Sequence, residues 1–159
     1  MNSYGNNIKI TVFGQSHAES IGVVIDGLKS GIQIDEEYIA RIMAKRAPGS
    51  SPLATKRKEA DKVHFIAGVE NGKTVGTSVC AVIYNSDMHS KDYSDLKFKP
   101  RPSHADYPAA VQFGENYDLR GGGQFSGRLT APVCIAGAIA LSELEKIGIC
   151  VSAHIYSIG

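Results

Sequence analysis

Neither sign of charge is in excess in this sequence. Seventeen Lys and Arg residues face sixteen Asp and Glu, leaving a formal net charge of +1. That balance excludes a bulk nucleic-acid binder, although it leaves room for a local basic patch. Cysteine is scarce: Cys80, Cys134 and Cys150 each lie inside an apolar run and none neighbours another. No CxxC site is offered, and buried reduced thiols in a cytoplasmic protein are the expectation. No apolar run reads as reaching the length of a membrane span, so no membrane partner is expected. The opening MNSYGNNIKI lacks a basic region, an apolar run and a cleavage site, and so does not read as a signal peptide. Neither HExxH nor another clustered ligand spacing occurs, so no metal is expected. The absence of GxGxxG excludes a dedicated nicotinamide domain.

What is present is an ordinary globular composition, 43% hydrophobic and 21% charged, in 159 residues that suit one domain. Ile8, Ile10 and Val12 alternate with Lys9 and Thr11, predicting a short strand that runs into the turn Gly14-Gln15-Ser16-His17. Ile21 to Leu28 is a second strand, and the pair predicts a hairpin with GQSHAES at its tip. Asp35, followed by Glu36 and Glu37, reads as the N-cap of a helix running to about Arg46 and stopping at Pro48-Gly49. Its apolar stripe is Ile39, Ile42 and Met43. Arg46 shares that stripe, so it needs an anionic partner: a core carboxylate and a bound ligand fit equally well.

Gly49 to Lys58 is a polar loop. Val63 to Val69 and Thr74 to Tyr84 read as strands joined at Asn71-Gly72. Asn85 to Lys99 is charged and turn-like. Ala105 to Phe113 predicts a short helix closed by Gly114. Leu129 to Ile147 predicts a buried helix, apolar on nearly all faces, with Thr130 as N-cap and Gly148 just beyond its end. Ile149 to Ile155 reads as a final strand. An apolar strand with nothing to cover it predicts that the sequence is part of something longer.

Chemistry concentrates between Arg101 and Thr130, which has almost no apolar periodicity. Arg120-Gly121-Gly122-Gly123 exposes backbone N–H groups that a ligand can approach, just before the start of a helix. A GGG run alone is weak evidence. Arg101, Arg120 and Arg128 around it strengthen an anion-binding reading, since guanidinium matches phosphate geometry. His104 lies between Arg101 and Asp106, and His17 sits at the first hairpin tip. Each alone is more often structural than catalytic. His64, His89 and His154 are given no role. A Ser16–His17 nucleophile is disfavoured, because neighbours on a tight turn rarely face each other.

Taken together these motifs resemble the chorismate synthase family. The resemblance rests on Gly14-Gln15-Ser16-His17-Ala18, Asp26-Gly27…Gly31-Ile32, Lys45-Arg46-Ala47-Pro48-Gly49, Thr55 to Asp61, Asn85 to Tyr93, Arg101-Pro102-Ser103-His104-Ala105-Asp106, Arg120 to Gly123 and Ala136 to Ala140, in order along the whole chain. It implies an α+β fold, a β-α-β sandwich of antiparallel sheet packed with helices. Residues 1–159 would form a single domain, the N-terminal of two similar halves. It implies the last step of the shikimate pathway, a 1,4-anti elimination of phosphate from 5-enolpyruvylshikimate 3-phosphate giving chorismate. The cofactor would be reduced FMN, with NADPH or an external reductase as electron source. A homotetramer in the cytoplasm is implied, with no nucleic-acid partner.

By the same resemblance, His17 and His104 are the catalytic histidines, one at the flavin and one at the departing phosphate. Gly121, Gly122, Gly123, Gln124, Phe125 and Ser126 would contact the flavin. Arg46, Arg101, Arg120 and Arg128 would bind the anionic substrate. The sequence also departs from the family. Pro52 occupies the place of a second substrate arginine, Gln15 replaces an acidic residue beside His17, and Gln124-Phe125-Ser126 stands where Arg-Ser-Ser is usual. Family members are about twice as long, and a catalytic aspartate belongs to the other half. Two other readings are a non-catalytic phosphate- or flavin-binding or assembly fragment, and an unrelated hydrolase using His104 and Asp106.

Overall fold

Alternating apolar residues organise the described residues into a five-stranded antiparallel sheet with helices on one face, beside a separate two-stranded hairpin. The computed structural model describes residues 2–47, 60–86, 99–118 and 120–158. The strands are β1 (Ser3–Tyr4), β2 (Lys9–Gly14), β3 (Ser20–Asp26), β4 (His64–Ala67), β5 (Val69–Glu70), β6 (Lys73–Thr74) and β7 (Val79–Tyr84). Five of them form a sheet in the order β1-β2-β3-β7-β4, antiparallel throughout. On the central pair Ile21 lies opposite Ile83, Val23 opposite Ala81 and Ile25 opposite Val79. The two-residue period places all six on one face, where each is at most 2% exposed.

Helices α1 (Glu36–Arg46) and α3 (Thr130–Lys146) cover that face, and α2 (Asp106–Phe113) precedes the site loop. The Asp35 carboxylate accepts the Tyr38 N–H at 2.8 Å, and acidic residues fill the first turn of α1 with basic ones in the last. Ile39 and Met43 enter the core, where they join Ile135, Ala138 and Ile139 of α3. The Tyr38 hydroxyl donates to Glu145 at 2.6 Å and ties the two helices together. The expected α+β class, the first hairpin, α1, α2 and the Asn71-Gly72 turn are all present. Asn71 and Gly72 both have positive φ, 49° and 74°, as a two-residue hairpin turn requires.

Other expectations are corrected. Strand β1 was not expected, because two residues carry no period. The predicted 74–84 strand is broken into β6 and β7 between Thr74 and Val79, where Gly76 has a φ of 88° that a strand does not hold, and Thr74 also bonds with residues 29–32. Residues 149–158 are exposed and make no strand, for want of a neighbouring strand among the described residues. Cys150 lies there and is exposed, while Cys80 and Cys134 are only half-buried; burial pushes both of those thiols up from their ordinary pKa.

Helix α3 buries one face only: Val133, Gly137 and Ala140 are exposed. Its N-cap is Leu129. Thr130 is already helical, and its hydroxyl donates to the Gly127 carbonyl at 2.6 Å. By length and composition, residues 127–146 do match a membrane span, with a mean hydropathy of 1.2. The packing of α3 on β3, β7 and α1 accounts for that apolarity as core. The expected polar loop at 49–58 and most of the charged excursion after Asn85 lie outside the described residues.

Two substitutions on α3 separate its faces. Ile135→Ala is expected to cost about 2–5 kcal/mol in urea denaturation, and Val133→Ala less than about 0.5–1 kcal/mol. Equal losses would refute the one-sided packing.

Candidate functional site

The loop joining β2 to β3 carries Ser16 and His17, and both are buried, at 2% and 8% exposure. What buries them is the glycine run. The Ser16 N–H donates to the Gly123 carbonyl at 3.2 Å. Gly121, Gly122 and Gly123 all have positive φ, at 58°, 90° and 56°. A Cβ on Gly121 would lie 2.3 Å from Cε1 of His17, and one on Gly123 would lie 2.2 Å from the Asp118 carbonyl oxygen. Glycine is therefore required twice over, by backbone conformation and by close approach. The structure brings His17 and the glycine run, distant in sequence, into direct contact.

A second group lies behind this loop. The Asp61 carboxylate, 4% exposed, accepts from Arg46 Nη1 at 2.5 Å through one oxygen and from Arg128 Nη1 through the other. Arg46 Nε donates to Thr130 Oγ1 at 3.3 Å, and Arg128 Nε donates to Asn85 Oδ1 at 3.1 Å. The Asn85 amide in turn donates to the Ala18 and Gln15 carbonyls at 2.7 and 3.3 Å. Arg46 thus has the anionic partner its place on the stripe demanded, and that partner is a core carboxylate.

His104 belongs to a third group. It is exposed, on the turn before α2, and its Nδ1 lies 3.0 Å from the Pro102 carbonyl oxygen. Arg101 grips Asp106 by two guanidinium bonds of 2.8 and 2.9 Å and by its backbone N–H at 2.9 Å. That grip holds the Asp106 carboxyl below its ordinary pKa, against the opposing effect of burial. Arg120 makes the same kind of fork with Asp118 and likewise lowers its pKa.

All four candidate arginines are therefore matched by carboxylates. Side-chain exposure separates them: 43% for Arg120, 29% for Arg101, 19% for Arg46 and 3% for Arg128. Sequence reading gave no role to Asp61, Asn85 or Asp118. A signal for Asp61 existed in the unmatched cation on the α1 stripe, and Asn85 was visible only as the first residue of the 85–93 motif, with no role attached.

The glycine loop fits a flat ring system in part. A Cβ on Gly122 would meet nothing nearer than Ser126 Cβ at 3.7 Å, so there is space beside its Cα, while its carbonyl accepts from the Tyr117 hydroxyl at 3.2 Å. Phe125 is half-exposed, its ring 6.1 Å from Tyr117 and 6.2 Å from Phe113. Gln124 and Ser126 line a depression of about 250 Å³ that His17, Gly122 and Phe125 do not reach, so it is not the surface that would face a ring.

Two measurements probe this geometry. Gly121→Ala is expected to lower stability by about 1–3 kcal/mol through strain and overlap with His17; an unchanged Tm would contradict the close approach. Asp106 has a folded-state pKa below its unfolded value. It therefore adds stability above the unfolded carboxyl range and loses that contribution as pH falls through the folded value. Arg101→Gln removes the first cause, so its destabilisation in urea is expected to be full at neutral pH and to narrow below about pH 4. A gap independent of pH would count against the pair.

Residues 8–159 match the family model described as chorismate synthase. The chain is 46% identical over 158 residues to a chorismate synthase of Bacteroides thetaiotaomicron, covering 99% of this chain and 44% of that protein. It is 46% identical over 145 residues to one from Methanocaldococcus jannaschii, covering 91% and 38%. A solved structure titled a crystal structure of chorismate synthase is similar over 90% of this chain and 35% of its own, with a TM-score of 0.60 at 20% identity, a likeness of fold. The chain spans less than half the length of the curated relatives it matches, and it belongs to the chorismate synthase family.

Proposed function

We propose that this chain supplies the His17 side of an active site that eliminates phosphate from 5-enolpyruvylshikimate 3-phosphate to give chorismate. The observation that carries the reading is the burial of His17 against Gly121, with open space beside the adjoining Gly122 Cα. In the reaction a C–H bond and the C–O bond to phosphate break and a double bond forms, with no net oxidation. Reduced FMN, when bound, supplies electron density that assists C–O cleavage. Gly121 to Ser126 would hold it, with Phe125 and the space beside the Gly122 Cα offering flat contact.

His17, shielded from water, holds a proton close to that surface. His104, exposed and held through Nδ1 by the Pro102 carbonyl, delivers a proton from its other ring nitrogen to the departing phosphate. Arg46, Arg101 and Arg120 reach solvent and can add a substrate anion to their existing carboxylate pairs. Arg128 is sealed and acts from behind, through Asp61. The source of flavin electrons, a tetrameric assembly and a cytoplasmic location belong to the same proposal.

Chorismate formation with reduced FMN tests the reading, on this chain and on a chain extended to the relatives' length. The isolated chain is expected to bind FMN weakly and not to turn over. The extended chain is expected to be active and to lose at least about a hundredfold in kcat with His17→Ala or His104→Ala. Full activity in both variants would overturn the assignment, and tight FMN binding by the isolated chain would overturn the claim that its pocket is partial.

A further inference from the structure

We propose that Asn85 is a positioning residue for His17, with the orientation of its carboxamide imposed by Arg128. The inference rests on reading His17 as a functional side chain. Asn85 follows β7 directly and is 7% exposed. Its backbone N–H donates to the Glu19 carbonyl at 2.9 Å, and its Nδ2 donates to the Ala18 and Gln15 carbonyls. Those carbonyls flank Ser16-His17 on both sides. One side chain therefore fixes the backbone that aims the imidazole, while Gly121 and the Gly123 carbonyl close the opposite side.

A carboxamide can turn over, exchanging its oxygen and nitrogen at little steric cost. Turned over, Asn85 would face two carbonyl oxygens with a third oxygen and push the loop away. Arg128 excludes this. Its guanidinium has donors and no acceptor, so its Nε–H at 3.1 Å requires the Asn85 oxygen. Arg128 is itself held by Asp61. The order Asp61, Arg128, Asn85, loop 15–19 is thus a directed series of donors and acceptors, each link fixing the next.

Ordinary core bonding is distinguishable from this role. Thr74 is also buried, at 2%, and also bonded, its hydroxyl donating to the Lys29 carbonyl at 2.6 Å and accepting from the Ile32 N–H at 2.9 Å. It lies toward the other end of β3, past Asp26, whereas Asn85 sits beyond the Ser20 end. Thr74→Val therefore measures destabilisation without disturbing the loop.

The experiment is NMR on the 159-residue chain, following the His17 ring shifts and amide exchange at Ser16 and Ala18. The variants are Asn85→Asp, Asn85→Ser and Thr74→Val. Asn85→Asp keeps the acceptor for Arg128 and loses both donors to the loop. Displaced His17 ring signals and about tenfold or faster loop exchange are expected in both Asn85 variants. Neither change is expected in Thr74→Val, even at an equal fall in Tm. Unmoved His17 signals in a folded Asn85 variant, or equal movement in Thr74→Val, would overturn the proposal. If Asn85→Asp does not fold, the milder Asn85→Ser decides. The ring readout does not depend on turnover, so inactivity of His17→Ala in the extended chain tests the catalytic reading separately.

Discussion

Two guanidinium groups share one buried carboxylate, and the site is arranged around that meeting. Asp61 takes Arg46 from α1 with one oxygen and Arg128, just before α3, with the other. Its backbone φ is 47°, in a region that a non-glycine residue seldom occupies. That conformation costs about 1–3 kcal/mol when a fold imposes it. Two charge-assisted bonds in a water-poor setting offset it, because an unpaired buried charge would cost more. The result joins both helices to the residues entering β4 and fixes the polar side of the core.

This arrangement also constrains how an anionic ligand can be received. None of the four arginines near the site is a bare charge; each sits on Asp61, Asp106 or Asp118. An arriving phosphate or carboxylate meets guanidinium groups whose orientation is already set, and less rotamer freedom is lost on binding. It also meets neighbouring carboxylates that repel it. Selectivity then depends on geometry more than on the sum of charge, which suits a chain whose overall charge is close to neutral.

Local signals were legible where one residue type forces one conformation. Asp35 with two glutamates announced α1, Asn71-Gly72 announced a hairpin, and the apolar run from Ile21 to Leu28 announced a strand. The 149–155 segment misled, because alternation describes a side-chain pattern while a strand also needs a partner edge. The site was legible as a set of residues and not as an arrangement. His17 and the glycine run are both visible in sequence, yet their contact depends on backbone approach between segments far apart. Asn85 stood at the head of a family motif, yet the direction of its amide, which no spacing encodes, comes only from the fold. Arg46 shows the middle case: its stripe position demanded an anion, and only the fold supplied Asp61.

The contact between Gly121 and His17 joins segments about a hundred residues apart, a separation that adds loop-closure cost to making it. The first hairpin and α1 are local and can form early. The walls around His17 need residues 121–123 in place. Burial of that imidazole therefore reports that the long-range fold is closed, and it is lost whenever these two segments part.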